Sequence, residues 1–499
     1  MYANTSWLSI IPPLLAISLS ILTRQVLLSL LAGTVVGCLI LNHGDLILGL
    51  THTFNVLYGV LNQTSQANVI AFTLLMGSLL ILISYSGGID GFVAWMQQRA
   101  YGQTKRSAQS FAWLTGVAIH IETSIICLVV GTVSRPLFDK LKISREKLAY
   151  ICDSVSAPVC MLIPFNAWGA TVLGLLAVQA GMGNLAGDTP LMVFIYTMPV
   201  NFYPIISVLL VFLVCWFDWN IGSMRKAEWR AFNLGEVAAR RGDQPAIASP
   251  IHIPAKADVL PRARMMSVPL IVMMLMVFVG LVITGVVGVD LAKIPAPTMM
   301  DYLQKASGST AVLWGVSVAL LLLIAMMLRT KKFTALEILQ QGLNGAVGMF
   351  PMAMIMLLAF AIGGICNELQ TGPWVAQMIA PYLSPLVIVP LVFLVSCIIA
   401  FATGTSFGTF AIMIPLAVPL AASFNTPEAV VVSIPLVVSA VLGGGVFGDH
   451  CSPISDTVVL SSIASSCDHI DHVNTQLPYA LLAAMLSLVL YFLLGLFKN

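Results

Sequence analysis

Charge is the scarcest property of this sequence: 9% of its 499 residues are Asp, Glu, Lys or Arg, against about a quarter in an ordinary soluble protein. With 59% hydrophobic residues and a mean hydropathy of +0.96, that scarcity excludes a soluble globular domain. It implies an all-α polytopic membrane protein whose first partner is the lipid bilayer. The net charge of +2 is too small to suggest nucleic acid. Metal and redox motifs are missing as well. The nine Cys contain no CxxC pair and the seven His no HExxH spacing, so Cys38, Cys127, Cys215 and Cys397, all inside apolar runs, read as small buried hydrophobes. No GK[ST] follows Gly443-Gly444-Gly445, which excludes a phosphate loop. The adjacent residues Asp449, His450 and Cys451 would point in different directions on a helix, which excludes a catalytic triad. Neither an enzyme nor a dedicated cofactor is implied. Met1 to Ser6 lack Lys and Arg, and Pro12-Pro13 interrupts the first apolar run, so that run is expected to be a span and not a cleavable signal.

What is present are apolar runs near 7–22, 26–42, 67–86, 191–217, 267–289, 311–328, 343–365 and 477–496, each close to bilayer length. Longer tracts with polar interruptions fill 107–133, 148–182, 383–423 and 430–466. Lys and Arg cluster in 219–266 and 134–147, whereas 43–66, 168–190, 366–382 and 424–429 have none and fit the outer side. For 134–147 to be cytoplasmic, 107–133 must dip in and return as a re-entrant hairpin, with 383–423 as its counterpart. Roughly ten spans and external termini follow. Short matches recur in order: Gly87-Gly88-Ile89 with Gly363-Gly364-Ile365, Glu122-Thr123-Ser124 with Gly404-Thr405-Ser406, and Asp153 to Ser156 with Asp449 to Ser452. The side assignments give these halves opposite topology. The expected organisation is a first membrane repeat at 1–218, a charged cytoplasmic linker at 219–266 and a second, inverted repeat at 267–499.

The stretch from Gly443 to Ser466 is the centre of interest. Asp449, His450, Ser452, Ser455, Asp456 and Thr457 stand in an otherwise apolar tract, and ionisable groups in hydrocarbon are costly and functional by default. On an intact helix Asp449, Ser452 and Asp456 would share a face, while Pro453 removes a backbone donor and frees carbonyls that could face a cation. The segment Gly448-Asp449-His450-Cys451-Ser452-Pro453-Ile454-Ser455-Asp456-Thr457 resembles the signature of NhaC-type sodium/proton antiporters, a family that also includes sodium-coupled carriers of organic acids and amino acids. The resemblance implies a secondary transporter of the ion-transporter superfamily, with two inverted repeats in a bacterial inner membrane, and leaves the solute open.

Further candidates are Glu122, Thr123 and Ser124 in the first hairpin, Thr405 and Ser406 in the second, and Asp153, Ser154 and Ser156, which repeat the acid, hydroxyl and proline chemistry. The bland alternatives are Ser and Thr bonded back to helix carbonyls and a helix cap near Ser156. Asn166 and Asn367 read as polar ends of spans. Asp449, Asp456 and Asp153 are the candidate sodium ligands, since sodium prefers several hard oxygens. A carboxylate in a dry site can hold either a proton or a sodium ion, and exchange follows if only a loaded site changes sides. The alternative is sodium-coupled carriage of an amino acid or other small carboxylate-bearing solute, its carboxylate held by helix N-termini at the hairpin tips. A homodimer is allowed by the sequence and not required by it.

Overall fold

The computed structural model describes the chain except residues 1–6, 24, 100–103, 121, 164–165, 239–254, 257–258, 290–296, 299–301, 303–304, 380–383, 426–430 and 498–499. Helices dominate, and no strand occurs among the described residues. In chain order they are α1 (Ile11–Thr23), α2 (Val26–Leu41), α3 (Leu46–Asn62), α4 (Thr64–Tyr85), α5 (Gly88–Arg99), α6 (Lys105–Ala118), α7 (Thr123–Lys140) and α8 (Arg145–Leu162). Next come α9 (Ala167–Gly181), α10 (Pro190–Thr197), α11 (Phe202–Phe217), α12 (Ser223–Leu234), α13 (Arg264–Gly288), α14 (Gly308–Arg329) and α15 (Ala335–Gly348). The last are α16 (Phe350–Glu368), α17 (Thr371–Ile379), α18 (Pro385–Thr403), α19 (Ser406–Phe424), α20 (Ile434–Cys451), α21 (Asp456–Ser465) and α22 (His469–Phe497).

Eight of these helices are long and apolar enough to cross a bilayer, and the bent pairs α8 with α9 and α10 with α11 raise the number to ten. The protein is therefore an all-α polytopic membrane protein, as its composition requires. Burial sorts the spans by position. In α20, 89% of the span is buried inside the protein, against 33% in α13, whose Ile271, Leu275, Phe278, Val282 and Val286 form an exposed apolar stripe at helical spacing, suited to lipid. The polar 443–466 stretch thus begins on the most enclosed of the eight single spans.

Several sequence expectations are corrected. Residues 43–66, read as an outer connection, contain α3, because Asp45 caps Leu48 N and starts a helix that needs no charge. The run 343–365 is divided at Gly348–Met349 between α15 and α16. The basic segment 134–147 is mostly helix, and not all of its charges are free to report sidedness. Lys147 is fully buried and paired with Asp218, and Arg145 pairs with Asp139 at 3.1 Å. The linker contributes α12, whose Glu228 accepts from Ser144 Oγ at 2.7 Å and from Ser144 N at 2.8 Å, and whose Arg230 pairs with Glu146 at 2.5 Å. Its middle, 239–254, lies outside the described residues. These pairs clamp the start of α8, the helix that carries Asp153. Burial, the largest single influence, would raise the Asp218 carboxyl, but the charge and hydrogen bond of Lys147, together with Asn220 and Lys105, hold it below the usual range.

Candidate functional site: paired helix breaks around Asp449

Four helices begin at interruptions inside apolar tracts, and each beginning is capped by a polar side chain. Glu122 accepts from Ile125 N at 3.1 Å to start α7, and Asn166 accepts from Gly169 N at 3.0 Å to start α9. Thr405 accepts from Gly408 N at 3.4 Å for α19, and Ser455 accepts from Val458 N at 3.5 Å for α21. Such caps satisfy backbone donors that water cannot reach in a membrane, and they leave helix N-termini, with their partial positive charge, facing the protein interior.

The breaks meet in pairs. The Asn166 amide donates to His120 O at 3.1 Å, joining the first two breaks, and also to Cys160 O and Ile163 O. The other two touch at Gly404. Its φ of +67° ends α18 in the left-handed region, and a Cβ there would lie 2.7 Å from Ile454 Cγ1 and 2.9 Å from Ile454 O. Only glycine permits that approach without strain.

At this junction Asp449 is buried, and both of its oxygens are engaged. Ser406 Oγ lies 2.7 Å from Oδ2 and Ser455 Oγ 2.5 Å from Oδ1. One hydroxyl comes from the start of α19, the other from the start of α21. Ser455 Oγ is also 3.1 Å from Thr457 Oγ1. Helix α20 ends at Cys451, so Asp449, Ser452 and Asp456 do not share one helical face; the break turns Ser452 away and brings Ser455 back onto Asp449. Ser452 accepts from Ile454 N instead. Asp456 is exposed, beside exposed Pro453 and Ile454, so this break also opens to the surroundings. Its carboxylate is within electrostatic reach of Asp449, and more weakly of Asp153 and Glu122. Among the described residues no Lys or Arg pairs with any of the four. Uncompensated carboxylates among hydroxyls and helix ends suit a small cation or a proton.

The remaining sequence candidates are placed less uniformly. Thr123 and Ser124 hydroxyls lie 3.2 and 3.3 Å from Glu122 Oε1, and Glu122 is engaged chiefly as a cap. Asp153 is fully buried within unbroken α8; the helix absorbs Pro158 and continues to Leu162, whereas α20 stops two residues past Asp449. The two aspartates therefore do not hold matching places relative to their breaks. Ser156 Oγ is bonded back to Asp153 O at 2.9 Å, the bland alternative, and Ser154 offers its carbonyl to Ser207 Oγ at 3.3 Å. No described hydrogen bond joins Thr405 or Ser406 to Thr123 or Ser124. Sequence reasoning missed Gln476, which donates to Asp153 Oδ2, and His472, with Nε2 4.0 Å from the same oxygen. It also undervalued Asn166. A His and a Gln four residues apart at the start of an apolar helix were the available signal.

The sequence profile of the Na+/H+ antiporter family matches residues 159–496, which include three of the four breaks and the Asp449 junction. The chain belongs to that family. An uncharacterized protein of Haemophilus influenzae is 31% identical over 501 residues, covering 99% of this chain and 92% of that protein. Shorter stretches resemble the arginine/ornithine antiporter ArcD of Halobacterium salinarum, at 32% identity over 142 residues and 28% of each chain. The malate-2H+/Na+-lactate antiporter of Bacillus subtilis is 30% identical over 132 residues, 25% of this chain and 27% of that one. The crystal structure of the Alcanivorax borkumensis YdaH transporter has a similar fold, with a TM-score of 0.60, 14% identity and coverage of 89% of this chain and 88% of that one. As a member of the Na+/H+ antiporter family with eight to ten candidate spans, this is a multi-pass secondary transporter.

Proposed function

We propose that this transporter exchanges sodium for protons across a bacterial inner membrane, with Asp449 as the group for which the two ions compete. The observation that carries the reading is the setting of Asp449: buried at the contact of two helix breaks, with a hydroxyl on each oxygen, other acids within electrostatic reach and no pairing cation among the described residues. A proton and a sodium ion each neutralise such a carboxylate, and they exclude each other. Sodium would take oxygens from Asp449, Ser406 and Ser455, with Thr457 and Asp456 beside them. A proton on Asp449 leaves those hydroxyls as its partners. Asp456, exposed at the break, is the group an arriving cation meets first. Asp153 serves as a second carboxylate within electrostatic reach of Asp449. The pairing of two breaks in 1–218 and two in 267–499 supports the organisation as two inverted repeats about the 219–266 linker.

A second reading has its own support. The names of the two shorter-matching relatives carry organic solutes, and helix N-termini converge near the carboxylates, a setting that also holds a solute carboxylate. Flux in proteoliposomes with imposed sodium and pH gradients, with and without lactate, malate, arginine or ornithine, separates the two. Sodium-driven proton movement in solute-free vesicles supports exchange; movement only when a solute is present supports coupled carriage.

A further inference from the structure

Helix α22 places His472 and Gln476 one turn apart, both fully buried, toward α8 and α20. Gln476 Nε2 donates to Asp153 Oδ2 and, at 2.8 Å, to His450 O. Both partners are acceptors, so only the amide nitrogen can serve them, and its two protons are both used. His450 directly follows Asp449 in the last turn of α20, where helix carbonyls lack intrahelical donors, and Gln476 supplies the donor that His450 O needs. From the other side Tyr203 Oη, on α11, lies 2.9 Å from His450 Nδ1. The turn that carries Asp449 is therefore held between α11 and α22, and the hold from α22 runs through the same amide that grips Asp153.

We propose that Gln476 is a positioning residue that couples Asp153 to the Asp449 break, so that an ion arriving at one carboxylate alters the geometry at the other. The proposal rests on the reading that these carboxylates carry the exchange. Its physical content is that a side chain with two protons and two acceptors cannot follow one partner without pulling on the other. A shift of the last turn of α20 moves His450 O, and Gln476 transmits the shift to Asp153 Oδ2. Coupling of this kind is reciprocal, and it disappears when the amide is removed.

The test uses full-length protein in vesicles and compares Gln476→Leu, which keeps the bulk and loses both donors, with Gln476→Asn, whose amide sits on a shorter arm and cannot span both acceptors. Sodium flux and proton flux are measured together. A purely structural role lowers both in proportion. Coupling through the amide predicts that the proton-to-sodium ratio falls, as sodium passes without its proton, in both variants. An unchanged ratio in either variant, or a wild-type ratio restored by Asn, overturns the proposal. If neither variant transports, sodium-dependent thermal stabilisation of the purified proteins decides: the proposal requires sodium binding weakened at least about fivefold in Gln476→Leu, the lower end of coupling effects, with sodium-free melting near wild type. Unchanged sodium binding, or loss of the fold in both variants, contradicts it. Wild-type vesicles assayed alongside keep the two readings apart: absence of exchange there fails the proposed function, whereas intact wild-type exchange with an unaltered variant ratio fails only the role of Gln476.

Discussion

Replacing Ser406 or Ser455 by Ala probes the Asp449 junction most finely, because each hydroxyl comes from a different helix start and reaches a different oxygen of one carboxylate. Whichever ion is bound, the oxygen is needed, as donor to the carboxylate or as ligand to sodium. A hydrogen bond to a charged group contributes about 1.5–3 kcal/mol. At 1.4 kcal/mol per decade, roughly 10- to 150-fold is the upper bound on the loss in apparent sodium affinity for either substitution, reached only if the oxygen's worth as a sodium ligand is not matched by its worth to the sodium-free carboxylate. The double substitution should fall short of the sum, because both hydroxyls serve one group. Ser452→Ala is the internal comparison. Ser452 is equally buried and only three residues from Ser455, but it serves Ile454 N and not Asp449, so sodium affinity should change far less. Apparent KM for sodium in vesicles and sodium-dependent melting of the purified protein give two independent readings. Wild-type affinity in Ser406→Ala and Ser455→Ala, or a larger loss in Ser452→Ala than in either, would refute this arrangement.

Gly404→Ala should lower stability by about 2–4 kcal/mol, combining the left-handed backbone penalty with overpacking against Ile454 O, and a wild-type melting temperature would show that the breaks are not pressed together there. Asp456→Asn should weaken sodium affinity and slow exchange, since Asp456 acts on three other acids from an exposed position; Glu122→Gln should alter the pH profile more than the sodium affinity, because Glu122 is engaged as a helix cap, and flux against pH in both variants checks the contrast. Asp218→Asn leaves the Lys147 ammonium buried without its carboxylate and should cost up to about 3 kcal/mol, less than a fully buried pair because Asp218 is half-exposed. The Asp218 carboxyl is held below its ordinary value, so its contribution is present above the unfolded pKa of about 3.9 and is lost as pH falls through the lower folded value. The melting difference between wild type and Asp218→Asn should accordingly shrink below about pH 4.

The spans were legible because a bilayer demands long apolar runs, and Pro453 and Gly404 marked two breaks through their own backbone chemistry. Helix α3 escaped because Thr51, His52, Thr53 and Asn55 dilute its hydropathy, and α12 escaped because its charges suggested a solvated linker, although Glu228 and Arg230 are spent on the start of α8. The Asp449 cluster was half legible. Its residue types stood out against apolar surroundings, but the bond from Ser406 to Asp449 closes 43 residues of chain, and no local pattern encodes that. Gln476 fell one residue outside the run taken as the last span, where an amide looks like an interfacial residue until α8 is seen packed against it. The expected equivalence of Asp153 and Asp449 rested on short matches recurring in order, and the differing extents of α8 and α20 beyond the two carboxylates give them different local settings.

Sodium-driven proton flux in vesicles containing Asp449→Asn tests the central claim most directly. The substitution keeps the size of the side chain and an acceptor for one of the two hydroxyls, while removing both the charge that sodium needs and the group that the proton occupies. The account predicts a folded, inserted protein with no sodium/proton exchange, beside a wild type that exchanges under the same gradients; retained exchange in Asp449→Asn would contradict it and make this junction a structural break.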